Sequence, residues 1–243
     1  MSTAAPPTLS VVIPAFNEER RLPHTLARLS EYLSSRPELL PAEVVVVDDG
    51  STDQTAAVVG RLPSTPQLTV RLQALGANRG KGAAVRHGLR VSRGRWVLIS
   101  DADLASPIEE LQKLQAAGVD VAVGSRALQR ELIARRQPLP RDVLGRCFNA
   151  LLRMLRLSTL RDTQCGFKLL RGDLARRLAG ELTLDGFAFD VELLVRAGRA
   201  GAEVAEVPVR WYHVEESRVR PLRHGLAMVR DVLILRWRLW RRG

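Results

Sequence analysis

The sequence predicts an α/β fold with a mostly parallel sheet. Two observations carry that expectation. Short apolar runs rich in Val, Ile and Leu alternate with segments of helical period from Leu9 to Gly124, the pattern of strands joined by crossover helices. Two of those runs, Val44–Val47 and Trp96–Ser100, end in carboxylates: Asp48 and Asp49 in one, Asp101 and Asp103 in the other. Ligands of open α/β sheets bind outside the carboxyl ends of the strands.

In order, Leu9-Ser10-Val11-Val12-Ile13-Pro14 reads as a first buried strand, stopped by proline. Asn17-Glu18-Glu19 opens a helix with Leu22, Leu26, Leu29 and Leu33 on one face. Val44–Val47 is the second strand. Asp49-Gly50-Ser51-Thr52-Asp53 is turn and cap chemistry before a helix through Ala56, Val58 and Val59. Leu68–Leu72 is the third strand. Asn78-Arg79-Gly80-Lys81-Gly82 is a glycine-rich loop at the start of a helix that reaches Leu89. Trp96–Ser100 is the fourth strand, Ser106-Pro107 starts a helix with proline in its first turn, and Val119–Gly124 is the fifth strand.

After Gly124 the pattern changes. Residues 126–146 are rich in arginine, free of lysine and interrupted by Pro138 and Pro140, which reads as a mobile or ligand-ordered loop. A helix through Phe148, Leu151, Leu152 and Leu155 follows. Arg161–Leu170 runs from loop into strand, Phe187–Leu194 starts a helix, and Val204–Trp211 is a last strand, at an edge because of Pro208. From Pro221 onward Leu222, Leu226, Val229, Leu233, Trp237 and Trp240 share a helical face surrounded by arginines. That is the composition of a helix lying on an anionic lipid surface, or of a terminal helix packed on its domain with a basic rim.

The net charge of +11 and pI near 11.0 point to a polyanionic neighbour: nucleic acid, an anionic membrane or phosphate-bearing substrates. A nucleic-acid reading is disfavoured, because no aromatic platform or basic recognition helix is present. Cys147 and Cys165 give neither a disulfide framework nor metal-ligand spacing, and the four histidines are scattered. The N-terminus lacks the pattern of a signal peptide, and no apolar run has the length of a membrane span, so a soluble or peripheral protein is expected.

Asp101 and Asp103, one residue apart at a strand end, suit a hard divalent cation, Mg²⁺ or Mn²⁺, held against a diphosphate; capping of a loop or helix is the plain alternative. Asp49 is placed to accept hydrogen bonds from a base or ribose, or simply to form a turn. Lys81 adds a positive charge and a helix N-terminus near phosphates, although its loop does not fit the P-loop pattern.

Together Val12-Ile13-Pro14-Ala15-Phe16-Asn17-Glu18, Val47-Asp48-Asp49-Gly50-Ser51-Thr52-Asp53, Asn78–Gly82 and Asp101-Ala102-Asp103 resemble the family 2 glycosyltransferases of the GT-A fold. Asp162-Thr163-Gln164-Cys165-Gly166-Phe167-Lys168, Phe189–Leu194, Val207–Trp211 and Ser217-Arg218-Val219 resemble that family's dolichyl-phosphate β-glucosyltransferase branch more than the related mannose synthases. The resemblance spans about Leu9 to Val219. It implies a flexible N-terminus at 1–8 and one catalytic domain at 9–220, with a nucleotide-sugar half at 9–124 and an acceptor half at 125–220. A membrane-associating tail at 221–243 follows.

The implied reaction is an inverting, metal-dependent transfer of a hexose, glucose from UDP-glucose first, to a dolichyl or undecaprenyl phosphate. Mannose from GDP-mannose and a polysaccharide hydroxyl acceptor are the alternatives. The resemblance places Pro14, Ala15, Asn17, Glu18, Asp48, Asp49, Lys81, Asp101, Ala102 and Asp103 around the nucleotide sugar, with Asp101 and Asp103 on the metal. Relatives in the mannose-synthase branch carry a glutamine metal ligand where this chain has Ala105. Arg126, Arg141, Arg146 and Arg218 resemble the acceptor-phosphate region, where arginine grips oxygens in pairs.

A lipid phosphate is already ionised and needs no strong base, so positioning and electrostatics would carry the step. A hydroxyl acceptor would need a base, and Asp190 lies where such relatives place one. Asp190 is equally suited to orienting the sugar or an acceptor arginine, or to favouring a helix start. The expected location is peripheral on the cytoplasmic face of a membrane, with the tail or an integral-membrane partner as the anchor.

Overall fold

The computed structural model describes residues 6–61, 64–135, 139–212 and 221–241. In chain order they form β1 (Leu9–Ala15), α1 (Leu22–Ser34), β2 (Ala42–Asp48), α2 (Thr55–Gly60), β3 (Leu68–Ala74), α3 (Lys81–Val91), β4 (Trp96–Ile99), α4 (Leu111–Ala116) and β5 (Val121–Ser125). They continue with β6 (Ile133–Arg135), α5 (Leu139–Met154), β7 (Lys168–Arg171), α6 (Gly172–Glu181), α7 (Phe189–Arg199), β8 (Val204–Pro208), β9 (Trp211–Tyr212) and α8 (Pro221–Arg241).

The main sheet has the order β3-β2-β1-β4-β7-β5-β8. From β1 the chain winds outward through β2 and β3, then returns to place β4 on the other side of β1. The carboxyl ends of β1 and β4 therefore flank a topological switch point, where open sheets leave a crevice. β7 is antiparallel to both β4 and β5, and β8 is parallel to β5. The mostly parallel α/β expectation is met. The antiparallel strand was not legible, since periodicity carries no strand direction. It arises because the chain comes back over the strand ends after α5 and enters the sheet from that side. The turn leading into β7 thus lies beside the end of β4.

Buried strands alternate their side chains between two layers. Val11, Ile13, Val44, Val46 and Leu98 pack under Leu22, Leu26, Leu29 and Leu33 of α1. Val12, Val45, Val47, Val97 and Ile99 pack under Ala84, Val85 and Leu89 of α3 and the apolar residues of α6 and α7.

Several boundaries differ from expectation. Pro14 does not stop β1, which pairs through Ala15. The helix expected from Ser106-Pro107 is a 3-10 turn at Ile108–Glu110 followed by α4. The arginine-rich stretch is not all loop: it contains β6, and α5 starts at Leu139, well before the expected helix. Helix α6 was not anticipated. The last strand breaks after Pro208: β8 is at the sheet edge as expected, and Trp211–Tyr212 pairs with β6 instead.

Helix α8 carries two apolar stripes rather than one. Val232 and Leu235 are buried with Phe148 and Leu152 of α5 and Val191 of α7, and Met228, Val229 and Leu239 pack against them. Leu226, Leu233, Trp237 and Trp240 are exposed. The expected face thus loses Val229 to the interior, and the side chain of Leu222 lies outside the described residues. No helix among the described residues is long and apolar enough to cross a membrane.

Candidate functional site

The turns after β1, β2 and β4 and the loop before α3 meet at the switch point. Asn17 has a positive φ of 57°, a conformation that Asn tolerates better than most residues. Its N–H donates to Ser51 Oγ and its side-chain oxygen accepts the Thr52 N–H, which joins the first two turns. Glu18 donates its N–H to Thr55 Oγ1 and grips Arg21 with both carboxylate oxygens. Pro14 is partly exposed and Ala15 is buried at the end of β1. Asp48 and Asp49 are buried at the end of β2.

Asp48 Oδ1 accepts the Ser51 N–H. Asp49 accepts the Arg79 and Gly80 N–H groups, one on each oxygen, so both oxygens expected to meet a base or ribose first hold the glycine-rich loop. Burial, the largest influence, pushes the Asp49 carboxyl up, against these two hydrogen bonds.

That loop is a strut. Gly80 has a φ of 111°, and a Cβ there would lie 2.4 Å from the Asp185 carbonyl oxygen, so only glycine fits. The Asp185 carbonyl accepts the N–H groups of Gly82 and Ala83, at 2.7 and 3.2 Å. The helix start expected to bring its dipole and a positive charge near phosphates has the N–H groups of Arg79, Gly80, Gly82 and Ala83 engaged inside the protein. What α3 delivers to the crevice is the Lys81 ammonium, 2.6 Å from Asp101 Oδ1.

Asp101 is half-buried just past β4 and Ala102 is buried. Asp103 turns back so that its Oδ1 accepts the Ala105 N–H, and its Oδ2 lies 3.9 Å from Arg21. Burial opposes ionisation of Asp101, but the Lys81 charge outweighs it and holds the carboxyl below the usual range. Burial and the Asp101 charge push Asp103 up. Burial also works against the Lys81 ammonium, and Asp101, Asp190 and Asp103 together overcome it and raise Lys81. Asp190 is thus close enough to act on the Lys81 charge.

The loop before β7 closes the cluster. Arg126 Nε and Nη2 take both oxygens of Asp162, at 2.6 and 2.8 Å, and the guanidinium sits over the Trp211 ring at 5.5 Å. Burial opposes ionisation of Asp162, yet Arg126 holds it well below the carboxylate range. The Arg126 fork expected on an acceptor phosphate is accordingly engaged by Asp162. Lys168, fully buried, hydrogen-bonds the Cys165 carbonyl at 2.5 Å and pairs with Asp190. Breaking such a buried pair costs on the order of 3–5 kcal/mol, because one charge is left without a partner. Burial pushes Asp190 up, with Lys168 and Lys81 opposing. Sequence reasoning missed the roles of Lys168, Asp162 and Arg21; the one signal was a lysine directly before the leucine pair of a buried strand.

Of the other arginines, Arg146 is exposed on α5, the Arg141 side chain lies outside the described residues, and so does Arg218. No group of three or more His, Cys, Asp or Glu residues that could hold a metal occurs among the described residues. Asp101 and Asp103 nevertheless fit a hard cation. They are oxygen donors whose charges repel across a partly buried gap, and Mg²⁺-type sites use one or two carboxylates with the rest from substrate phosphates and water. Ala105 adds no side-chain ligand. Its N–H holds Asp103 and its carbonyl accepts the Tyr212 N–H.

The family model described as Glycosyl transferase family 2 matches residues 10–178. Dolichyl-phosphate beta-glucosyltransferase of Homo sapiens is 40% identical over 244 residues, covering 95% of this chain and 75% of that protein. The Saccharomyces cerevisiae protein of the same name is 33% identical over 251 residues, covering 94% and 74%. Among solved structures, glucosyl-3-phosphoglycerate synthase from Mycobacterium tuberculosis in complex with Mn²⁺, UDP and phosphoglyceric acid superposes with a TM-score of 0.64 at 22% identity. That match covers 93% of this chain and 76% of that chain, a likeness of fold.

Proposed function

The chain belongs to glycosyl transferase family 2, and from that premise we propose that it transfers glucose from UDP-glucose to a polyprenyl phosphate, dolichyl or undecaprenyl, at a membrane surface. The observation that carries this reading is the placement of Asp101 and Asp103 at the carboxyl end of β4, with the Lys81 ammonium on Asp101. Curated relatives at 33–41% identity over most of the chain are named dolichyl-phosphate beta-glucosyltransferase.

Asp101 and Asp103 are the residues that would hold Mg²⁺ or Mn²⁺. When bound, such a cation would supply positive charge to offset that of the departing diphosphate. Pro14, Ala15, Asn17, Glu18, Asp48 and Asp49 shape the nucleotide pocket, largely by fixing its turns. Lys81 balances Asp101 and lends its charge to the diphosphate. An oxygen of the lipid phosphate forms the new bond to the anomeric carbon as the bond to the UDP oxygen breaks, with inversion. No proton has to be removed from the acceptor, so orientation and fixed charge supply the rate.

Asp190 is tied to Lys168, which suits a carboxylate that holds position better than one that takes a hydroxyl proton. This favours the phosphate acceptor over a polysaccharide hydroxyl. In this reading Arg126, Arg141, Arg146 and Arg218 bind the acceptor phosphate, with Arg126 sharing its charge with Asp162. Residues 9–220 act as one catalytic unit, with the donor half at 9–124 and the acceptor half at 125–220.

Residues 221–243 bring this unit to an anionic cytoplasmic membrane face. The exposed Leu226, Leu233, Trp237 and Trp240 alternate with exposed Arg230, Arg236 and Arg241, and Arg241 lies over the Trp237 ring at 4.7 Å. An amphipathic helix of this composition seats its tryptophans at the headgroup boundary.

The test is hexose transfer from radiolabelled UDP-glucose and GDP-mannose to a short polyprenyl phosphate, with Mg²⁺ or Mn²⁺ and with Asp103→Ala as control. Metal-dependent transfer from UDP-glucose, lost in the control, is expected. Transfer from GDP-mannose alone overturns the donor, and transfer only to a hydroxyl acceptor overturns the phosphate.

A further inference from the structure

Lys168 stands in an apolar row. Its cross-strand partners are Ile99 on β4 and Val123 on β5, both buried in the layer beneath α7. An ammonium there forfeits its hydration, and the site returns two partners from different elements: the Asp190 carboxylate at the start of α7 and the Cys165 carbonyl in the loop before β7. Between Cys165 and Lys168 lies Gly166. A Cβ built on it would fall 2.1 Å from Asp101 Oδ2, 2.4 Å from its Cγ and 2.6 Å from its Oδ1. The Asp101 carboxylate therefore rests flat on the bare Cα of Gly166. The same loop is pinned at its other end by the Asp162–Arg126 pair and at Phe167 by the Gly124 N–H, 2.9 Å from the Phe167 carbonyl oxygen.

We propose that Lys168 is a positioning residue for the transfer reaction: by fastening the Cys165 carbonyl to Asp190 it sets the height of Gly166, and so the place of the Asp101 carboxylate at the donor site. The inference deepens the function proposed above and rests on it for the identity of the donor. Lys168 acts through Gly166. It stands one layer behind Asp101, where groups that orient a metal-binding carboxylate govern affinity without touching the ligand. Gly166 is glycine because any side chain would lift Asp101 off the loop.

The experiment titrates UDP with Mn²⁺ into the full chain by calorimetry, with thermal unfolding measured in parallel. The wild type is compared with Lys168→Met/Asp190→Asn and with Gly166→Ala. The double variant replaces the ion pair with neutral groups of similar size and leaves no unpaired charge. It is expected to unfold near the wild-type temperature while its Kd for UDP with Mn²⁺ rises about tenfold. Gly166→Ala, which keeps both charges, is expected to raise Kd at least as much.

A folded double variant whose Kd stays within threefold of wild type overturns the proposal, since a pair that only stabilises the fold would behave so. If the double variant does not fold, Gly166→Ala decides by the same threshold. A wild type that binds UDP but transfers no hexose to polyprenyl phosphate defeats the acceptor reading alone, and the Kd comparison still stands. A wild type that does not bind UDP overturns both.

Discussion

The Lys81 ammonium lies 2.6 Å from Asp101 Oδ1, so the first carboxylate of the strand-end pair already has a cationic partner contributed by α3. Asp103, next to it, has Arg21 at 3.9 Å and a hydrogen bond from its own turn. The two carboxylates are therefore held apart in character as well as in space, one pulled down by Lys81 and one pushed up by burial and by its neighbour.

Lys81→Met removes that partner while keeping the length of the side chain. Asp101 then keeps its burial penalty and loses the largest of the charges that offset it, with only the weaker influence of Lys168 and Arg126 left. Transfer is expected to fall about 10²-fold in kcat/KM, the scale seen when one preorganised charge donor is lost. Initial rates with UDP-glucose and a short polyprenyl phosphate measure it. A fall of less than about threefold would remove Lys81 from the donor site.

Gly82→Ala tests the strut. A Cβ there would lie 2.4 Å from the Leu184 carbonyl oxygen and 2.7 Å from Phe189 Cβ, between backbone and a fully buried ring. The expected loss is about 1–3 kcal/mol of stability, the usual cost of overpacking, read from urea unfolding. Gly180→Ala, where a Cβ would meet nothing within 4 Å, should cost no stability.

Acid should unfold the protein partly through Asp162. Its folded pKa is depressed below the ordinary 3.8, because Arg126 outweighs burial. The unfolded chain therefore binds its proton at higher pH than the folded one. The stabilisation is present in full above the unfolded value and is lost as pH falls through the lower folded value. Asp162→Asn should lower stability at neutral pH and flatten the dependence of stability on pH below about 4. Parallel curves for variant and wild type would exclude this contribution.

The two stripes of α8 should separate cleanly. Trp237→Glu/Trp240→Glu changes only exposed positions, so thermal stability should hold while sedimentation with anionic liposomes is lost. Val232→Asp places a charge in the cluster shared with Phe148, Leu152 and Val191 and should lower the unfolding temperature markedly. Liposome binding unchanged by the double Glu variant would rule out the exposed stripe as the membrane contact.

Much of the donor half was legible in the chain. β1, β2, β3 and β4 each announce themselves as apolar runs; Asn17, Asp49, Asp101 and Asp103 fall in the turns at the carboxyl ends of β1, β2 and β4, Asp48 ends β2 and Lys81 opens α3. The acceptor half was less so. Leu139 starts a helix with Pro140 in its first turn, inside what reads as loop, β7 enters the sheet backwards, and the last strand divides at Pro208. In each case the outcome depends on which neighbour is available, and a local pattern does not contain that.

Sequence by itself determined the α/β alternation, the carboxylates at the strand ends and the family. Hydrophobic period and short motifs are properties of neighbouring residues. Tertiary structure alone decided that Asp49 holds a loop, that Lys168 meets Asp190, that Arg126 meets Asp162, and that α8 has an inner as well as an outer stripe. These pairings join residues 22 to 36 positions apart, and burial leaves each charge no alternative but the partner that folding brings to it.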